Sequence, residues 1–433
     1  MNTCTERGIV TGLAGCVGLF LLMTSPAAAE IQVGLSQVDI TPPTGGRTTG
    51  YSAAQPTDGI HDPLSARVVF LKSDATTIAL VSWDLCVINS PWLFEQIKEL
   101  GIDHLLLANT HTHAGPKLDE LDFPTPDSPW RRTIEERVLQ AIKEAQLQCF
   151  AAKFAAAEGQ VRLGYNRLVR QEGGFALTHF ENPDLTPYDP VDTTVGVVRI
   201  TDLQDRVRAV LVNYACHPVV LGPQNRKISA DYPGVMRRLV EQQLGADATC
   251  IFLQGCCGDI NPLRMARSDD RAQDFDVVEQ VGAELATSVL GVLEQMKARP
   301  GRADKLAIAE STIDFQGRFD KDRRLTLGVT SLLVNDDLAV MTMPGEPFHR
   351  LQVEFRQKAG VPHAFVVGYC SNGPYDWPGY LPDIESAACG GYGASDMTHA
   401  EVGTPERLVL KGLEQVYTLQ GRLRSAPVRH TNE

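Results

Sequence analysis

Residues 105–116, Leu-Leu-Leu-Ala-Asn-Thr-His-Thr-His-Ala-Gly-Pro, run from an apolar stretch into two histidines one position apart. Residues i and i+2 of an extended chain share a face, so His111 and His113 can lean over one spot at a sheet's edge. Neutral imidazole is the commonest side-chain ligand for divalent metals such as zinc. A bare His-x-His is equally a pair of half-exposed strand-end histidines, and the rest of the chain must decide. Leu211-Val212-Asn213-Tyr214-Ala215-Cys216-His217-Pro218 repeats the logic: a buried run, a histidine, a proline turn. Ile251-Phe252-Leu253-Gln254-Gly255 leads into Cys256-Cys257-Gly258-Asp259-Ile260-Asn261-Pro262, and Met341-Thr342-Met343-Pro344-Gly345 leads to Glu346. Taken singly, His217 reads as a structural histidine, Asp259 as a turn residue and Glu346 as a carboxylate favouring a helix N-terminus. Four polar strand ends in one chain point to one shared site, since α/β proteins gather their sites at strand ends.

The elements that must position these groups follow from periodicity. Apolar or alternating runs predict strands over residues 31–40, 66–71, 77–83, 104–108, 194–200, 208–212, 250–253 and 364–367, and a hairpin joining 331–334 to 338–343 through Asn335-Asp336-Asp337. Helical spacing predicts helices over 91–100, 132–146, 234–243, 275–296, 347–358 and 405–420. Strands and helices mix along the whole length, which predicts an α/β fold: a mixed β-sheet core flanked by helices, with the metal site at strand ends. Residues 171–192 carry Gly, Asn, Pro and Thr with little apolar pattern and read as a long surface loop, a kind that often lines sites.

The totals suit a globular enzyme: 433 residues, 43% hydrophobic, 37 Gly and 26 Pro. A formal charge of −13 without a Lys/Arg-rich run excludes nucleic acid as an expected partner. Arg7, an apolar run from Gly8 to Met23, and Ala27-Ala28-Ala29 predict a signal peptide over residues 1–29, cut after Ala29, and hence an exported protein, periplasmic or secreted. Leu13-Ala14-Gly15-Cys16 also resembles a lipid-attachment box, the less favoured reading. No second long apolar run occurs, so no integral membrane span is expected in the mature chain. The remaining eight cysteines form no recognisable disulfide framework, and no Cys-x-x-Cys indicates a Cys-rich zinc site.

In motif order the chain resembles the neutral, non-lysosomal ceramidases. The matching pieces are Thr110-His111-Thr112-His113 with Gly115-Pro116, Asn166-Arg167, the stretch from Asn213 to Pro218 with Ile228-Ser229-Ala230-Asp231, Gly258-Asp259-Ile260-Asn261-Pro262, Pro344-Gly345-Glu346, Gly379-Tyr380 and Gly391-Tyr392. The resemblance implies one zinc ion per chain held by His111, His217, Glu346 and Tyr380. Tyr375 is a rival for the tyrosine, but the twelve-residue step from Tyr380 to Tyr392 agrees with the family's spacing. It further implies that His113, Arg167 and Tyr392 surround the scissile carbonyl. Asn261 stands where the family's Gly-Asp-x-Ser-Pro motif carries a serine implicated in catalysis; asparagine can donate to an oxyanion or hold a substrate amide but has no hydroxyl. Asp84 and Asp231 are expected either to orient the ligating histidines or to cap loops. The expected protein is a single catalytic domain over 30–433, without the family's immunoglobulin-like domain. Its expected reaction is zinc-dependent hydrolysis of a linear amide in a small-molecule or lipid N-acyl substrate.

Two other readings remain open on the residues. Another metallohydrolase class is disfavoured: metallo-β-lactamase-like proteins continue His-x-His into Asp-His, whereas Ala114-Gly115-Pro116 follows here, and amidohydrolase barrels open on His-x-His in their first strand, whereas several strands precede it here. A metal-binding relative that serves as a binding protein finds its best argument in Asn261.

Overall fold

A computed structural model describes residues 31–51, 54, 56–118, 130–266, 271–296, 301, 302 and 305–423, together with residues 1 and 3. The export signal expected over residues 1–29 lies, from Cys4 onward, outside the described residues.

The apolar runs form strands because each buries at least one face. Nine of them make a mixed sheet in the order Thr249–Gln254, Val207–Tyr214, Thr194–Asp202, Phe150–Gln160, Gln32–Asp39, Ser65–Lys72, Thr77–Trp83, His104–Asn109, Cys370–Ser371. The sheet has a weak seam: Gln32–Asp39 and Phe150–Gln160 share only two residue pairs. Side chains bridge its halves elsewhere, with Ser82 Oγ donating to the Phe252 carbonyl. A second sheet runs Leu306–Gln316, Arg324–Val334, Leu338–Thr342, His363–Val367.

The two sheets meet over a core that includes Val69, Leu80, Leu106, Val198 and Leu253 from the first and Leu332, Leu338 and Phe365 from the second. Helices cover the outer faces. Pro91–Glu99 and Trp130–Leu147 pack on one half of the large sheet and Asp231–Leu244 and Arg271–Met296 on the other, while His349–Lys358 and Thr404–Leu419 cover the small sheet. The predicted mixed α/β architecture is therefore the observed one. No helix among the described residues is long and apolar enough to cross a membrane.

Every predicted strand and helix is present. Asn335 and Asp336 turn the predicted hairpin with φ of +55° and +58°, values that asparagine and aspartate tolerate better than most residues. Two eleven-residue strands were not predicted. Phe150–Gln160 is alanine-rich and lacks the β-branched residues that mark strands; nine rungs of pairing with Thr194–Asp202 hold it extended. Leu306–Gln316 is interrupted by Glu310-Ser311-Thr312 and is held by eleven rungs with Arg324–Val334. The eight cysteines from Cys86 to Cys389 are all unpaired thiols.

Candidate metal centre

Three parallel strand pairs end at one place. Thr77–Trp83 and His104–Asn109 finish together at Trp83 and Asn109, Val207–Tyr214 and Thr249–Gln254 at Tyr214 and Gln254, and Leu338–Thr342 and His363–Val367 at Thr342 and Val367. His111, His217 and Glu346 follow within four residues of Asn109, Tyr214 and Thr342.

Buried polar groups lock these ends. Trp83 Nε1 and the Ile88 amide donate to Asn109 Oδ1 at 2.9 and 3.0 Å, and Asn109 Nδ2 donates to the carbonyls of Ile88 and Tyr369. His111 then takes φ of +69°, an uncommon conformation for a residue other than glycine, of the kind that collects at functional sites. Buried Gln254 donates from Nε2 to the carbonyls of Thr110 (3.3 Å) and Cys216 (3.0 Å), the residues just before His111 and His217. One amide group thus ties both histidine-bearing ends together.

The tautomers follow from the partners. His111 Nδ1 lies 2.9 Å from the Cys86 carbonyl and His217 Nδ1 lies 3.1 Å from the Ile260 carbonyl. A carbonyl only accepts, so each Nδ1 carries a proton and, in the neutral ring, each Nε2 presents a bare lone pair. Both Nε2 atoms stand 3.4 Å from Glu346 Oε2, and His217 Nε2 and Glu346 Oε2 are buried without a hydrogen-bond partner. The three atoms lie within 4.8 Å of one another. Buried polar atoms left unjoined are costly, and two imidazoles with a carboxylate are a donor set that fits zinc with a position left open. Cys86, His111 and His113 form a second cluster. Cys86 Sγ, however, is 3.3 Å from Nδ1 of His111, across the ring from the nitrogen that faces Glu346.

The electrostatics are those of one carboxylate among three rings. Burial would raise the Glu346 carboxyl, but His111 and His217 hold it well below its ordinary value. Burial lowers His217 to about 4. Burial, with the charges of His111 and His217 beside it, holds His113 well below the usual imidazole range. Burial opposes a charge on His111 too, yet Cys86 and Glu346 raise it to about 10. Glu346 thus favours a proton on His111, which a metal ion at this spot would displace.

His113 occupies the rim of this set. Its Nε2 is 3.2 Å from His111 Nε2, and the edge of Tyr51 rests on it at 5.0 Å between ring centres. Gly50, at φ of +85°, leaves room for the ring: a Cβ there would fall 2.1 Å from Nδ1.

Arg167 forms the facing wall. It is buried, donating from Nη2 to the Gly258 carbonyl (2.6 Å) and from Nη1 to Asn261 Oδ1 (3.3 Å). Its guanidinium stands 5.3 Å from the Tyr380 ring centre, 5.2 Å from Tyr392 and 5.8 Å from Phe180. Tyr380 pairs with Glu346 in a short parallel ladder, whereas its rival Tyr375 lies half-exposed over Gly328 and Gly373. All eight predicted site residues thus fall in one neighbourhood. The loop over 171–192 reaches it as expected, through Phe180, which meets Tyr392 edge-on at 5.1 Å.

Asp84 and Asp231 touch neither ligating ring. Asp84 accepts from Ser65, Thr110 and Arg237, and Asp231 from the amides of Leu221 and Tyr232. Backbone carbonyls orient the histidines instead. Sequence reasoning also missed Gln254, Gly50, Tyr51 and Tyr369, whose ring lies 4.1 Å from that of His111. Tyr369 had a signal: Gly368-Tyr369 directly follows a predicted strand.

The fold and site define a mixed-sheet α/β protein with a His-His-carboxylate cluster at its strand ends that could hold a metal ion. Residues 31–287 match the family described as neutral/alkaline non-lysosomal ceramidase, N-terminal, and the chain belongs to that family. It is 26% identical to Neutral ceramidase A of Dictyostelium discoideum over 265 residues, which is 54% of this chain and 36% of that protein. It is 26% identical to the Neutral ceramidase of Pseudomonas aeruginosa over 300 residues, 62% of this chain and 43% of that one. The chain thus spans less than half the length of the curated relatives it matches. The crystal structure of neutral ceramidase from Pseudomonas aeruginosa superposes with a TM-score of 0.74 at 17% identity, covering 92% of this chain and 76% of that one, a likeness of fold.

Proposed function

We propose that this protein is an exported, zinc-dependent hydrolase that cleaves the linear amide of an N-acyl, ceramide-like lipid. The observation that carries the reading is the convergence of bare Nε2 atoms on His111 and His217 with Oε2 of Glu346, beside buried Arg167. Names of relatives support the substrate class, and one similar solved structure is described as a ceramidase complexed with C2.

His111, His217 and Glu346 would hold the ion, with Tyr380 as the fourth ligand by resemblance. A bound zinc ion supplies Lewis acidity and makes water acidic enough to attack an amide near neutral pH. Arg167, charged at any working pH, and the Tyr392 phenol donate hydrogen bonds to the developing oxyanion. His113, at the rim of the set with its Nε2 beside that of His111, can take up a proton and pass it to the leaving amine. Asn261 steadies Arg167 through Oδ1 and replaces the hydroxyl of the family's motif with an amide, which separates N-acyl amide cleavage in general from ceramide in particular.

The test is hydrolysis of a panel of N-acyl amides, ceramide included, by the zinc-loaded mature protein, with fatty acid and amine both measured. The expected result is release of the two in equal amounts from at least one lipid amide. A protein that binds zinc yet cleaves none of them is a metal-binding relative and not a hydrolase. N-terminal sequencing of exported protein should read from Glu30, and a lipidated Cys16 would overturn that cleavage site.

A further inference from the structure

Asp259 sits one residue beyond the carbonyl that holds Arg167, and the reaction above gives it no part. It is buried, as is His349. Its Oδ1 accepts from the His349 amide at 2.9 Å, and its Oδ2 accepts from His349 Nδ1 at 2.6 Å and Asn166 Nδ2 at 2.8 Å. Three N–H groups thus converge on one carboxylate from two other segments of the chain.

Those segments carry the two walls of the site. Asn166 precedes Arg167, whose amide donates to the Asp259 carbonyl at 2.9 Å and whose Nη2 donates to the Gly258 carbonyl. His349 opens the helix His349–Lys358, just after the short strand Glu346–Pro347, and Gly258 N donates to the Pro347 carbonyl of that strand at 2.8 Å. Glycine at 258 lets the two backbones touch: a Cβ there would lie 2.4 Å from the Glu346 carbonyl oxygen. The connection from arginine to metal carboxylate therefore runs through Gly258-Asp259 and is clamped by His349. Burial opposes both charges, yet each partner favours the other's, lowering Asp259 and raising His349.

We propose that Asp259, clamped by His349 and Asn166, is a positioning residue that sets Glu346 and Arg167 in register with each other. The proposal rests on the metallohydrolase reading of the site. An asparagine at 259 cannot serve both oxygen positions: whichever way its amide turns, one N–H faces another. At position 349, asparagine can put an amide N–H where the imidazole Nδ1–H stands, whereas leucine cannot.

The test is zinc affinity, measured by competition with a chromogenic chelator, on variants whose unfolding midpoint matches the wild type. Asp259→Asn and His349→Leu should each weaken zinc binding by about 10-fold or more, the usual cost of losing a partner that orients a ligand. His349→Asn should recover most of it, and Arg167→Gln should leave it unchanged. In turnover, Asp259→Asn should lower kcat by about 10-fold with little change in KM. In the Arg167→Gln background it should cost much less, since coupled residues are not additive. Wild-type zinc affinity in Asp259→Asn and His349→Leu overturns the proposal alone, as does a His349→Asn variant no better than His349→Leu. The two His349 variants carry the test should Asp259→Asn not fold. A wild-type chain that takes up no zinc overturns the metallohydrolase reading and this proposal with it.

Discussion

His111, His217 and Glu346 leave the ends of long parallel strand pairs, whereas Arg167, Asn261, Tyr380 and Tyr392 stand on loops and on strands of two or three residues. The first wall is fixed by the hydrophobic core: Leu107, Val212 and Met341, a few residues upstream of its three candidate ligands, are fully buried. The second is fixed by individual polar bonds, to Gly258, Asp259, Asn261 and the loop over 171–192. A wall built on a core tolerates the loss of one hydrogen bond, because many dispersion contacts hold it. A wall built on a few bonds moves when one is removed. Changes in the first wall should therefore act on the metal, and changes at Arg167, Asn261 and Tyr392 in the second on turnover with the metal still bound.

The largest effects should come from breaking the first wall outright. His111→Ala and His217→Ala should each strip the zinc and abolish amide cleavage, read by metal analysis and turnover. His113→Ala should keep most of the zinc and lower kcat by about 100-fold, within the range for a lost general acid or base. If it empties the site as His111→Ala does, His113 is a ligand and the division into walls fails there.

Next come the polar donors. Arg167→Gln should retain zinc and lower kcat by about 100-fold, as for a lost oxyanion donor. Asn261→Ala should cost about 10-fold or more on the same reasoning. Asn261→Ser restores the family's residue, and a rise in ceramide hydrolysis would show that the asparagine tunes substrate choice. Loss of zinc in either Arg167→Gln or Asn261→Ala would mean that the second wall supports the metal directly.

A subtler test crosses the comparison. Gln254 is a polar device inside the core-built wall, so Gln254→Leu should weaken zinc by about 10-fold without emptying the site. The smallest effect concerns the loop. Asp192, at its end, is bound by Gln352, Arg356 and Thr194. Burial would raise its carboxyl, but Arg356 and these bonds hold it below the ordinary value. That stabilisation is present above the unfolded carboxyl's pKa of about 3.9 and is lost as pH falls through the lower folded value. Asp192→Asn should therefore lower the unfolding midpoint by about 1 °C at neutral pH, the response of a domain this large to roughly 1 kcal/mol, and the gap should close in acid. A gap that stays constant down to low pH would show that the ion pair contributes nothing.

The same contrast governs what could be read in advance. Thr77–Trp83 and His104–Asn109 were legible because unbroken apolar runs flanked by breakers are what buried parallel strands look like. The histidines at such ends were legible for the same reason. Phe150–Gln160 was not, because alanine carries no strand signal and only its neighbour's nine rungs decide its state. The groups that orient the ligands were invisible for a different reason: the carbonyls of Cys86 and Ile260 are backbone atoms, present at every residue. Gln254 reads as an ordinary polar residue at a strand end.

Residue types and their spacing, by themselves, singled out His111, His217 and Glu346 as candidates and the strands that deliver them, since apolar runs and the groups that end them are local features of the chain. Folding decided the rest. It chose the ring nitrogen of each histidine that is left bare, through carbonyls 25 and 43 positions away along the chain. It joined Glu346, from the small sheet, to histidines from opposite halves of the large one. It bound Arg167 to a glycine carbonyl 91 residues on. Those choices depend on distances between segments remote in sequence, which no local pattern encodes and only the buried cores between the sheets and their helices establish.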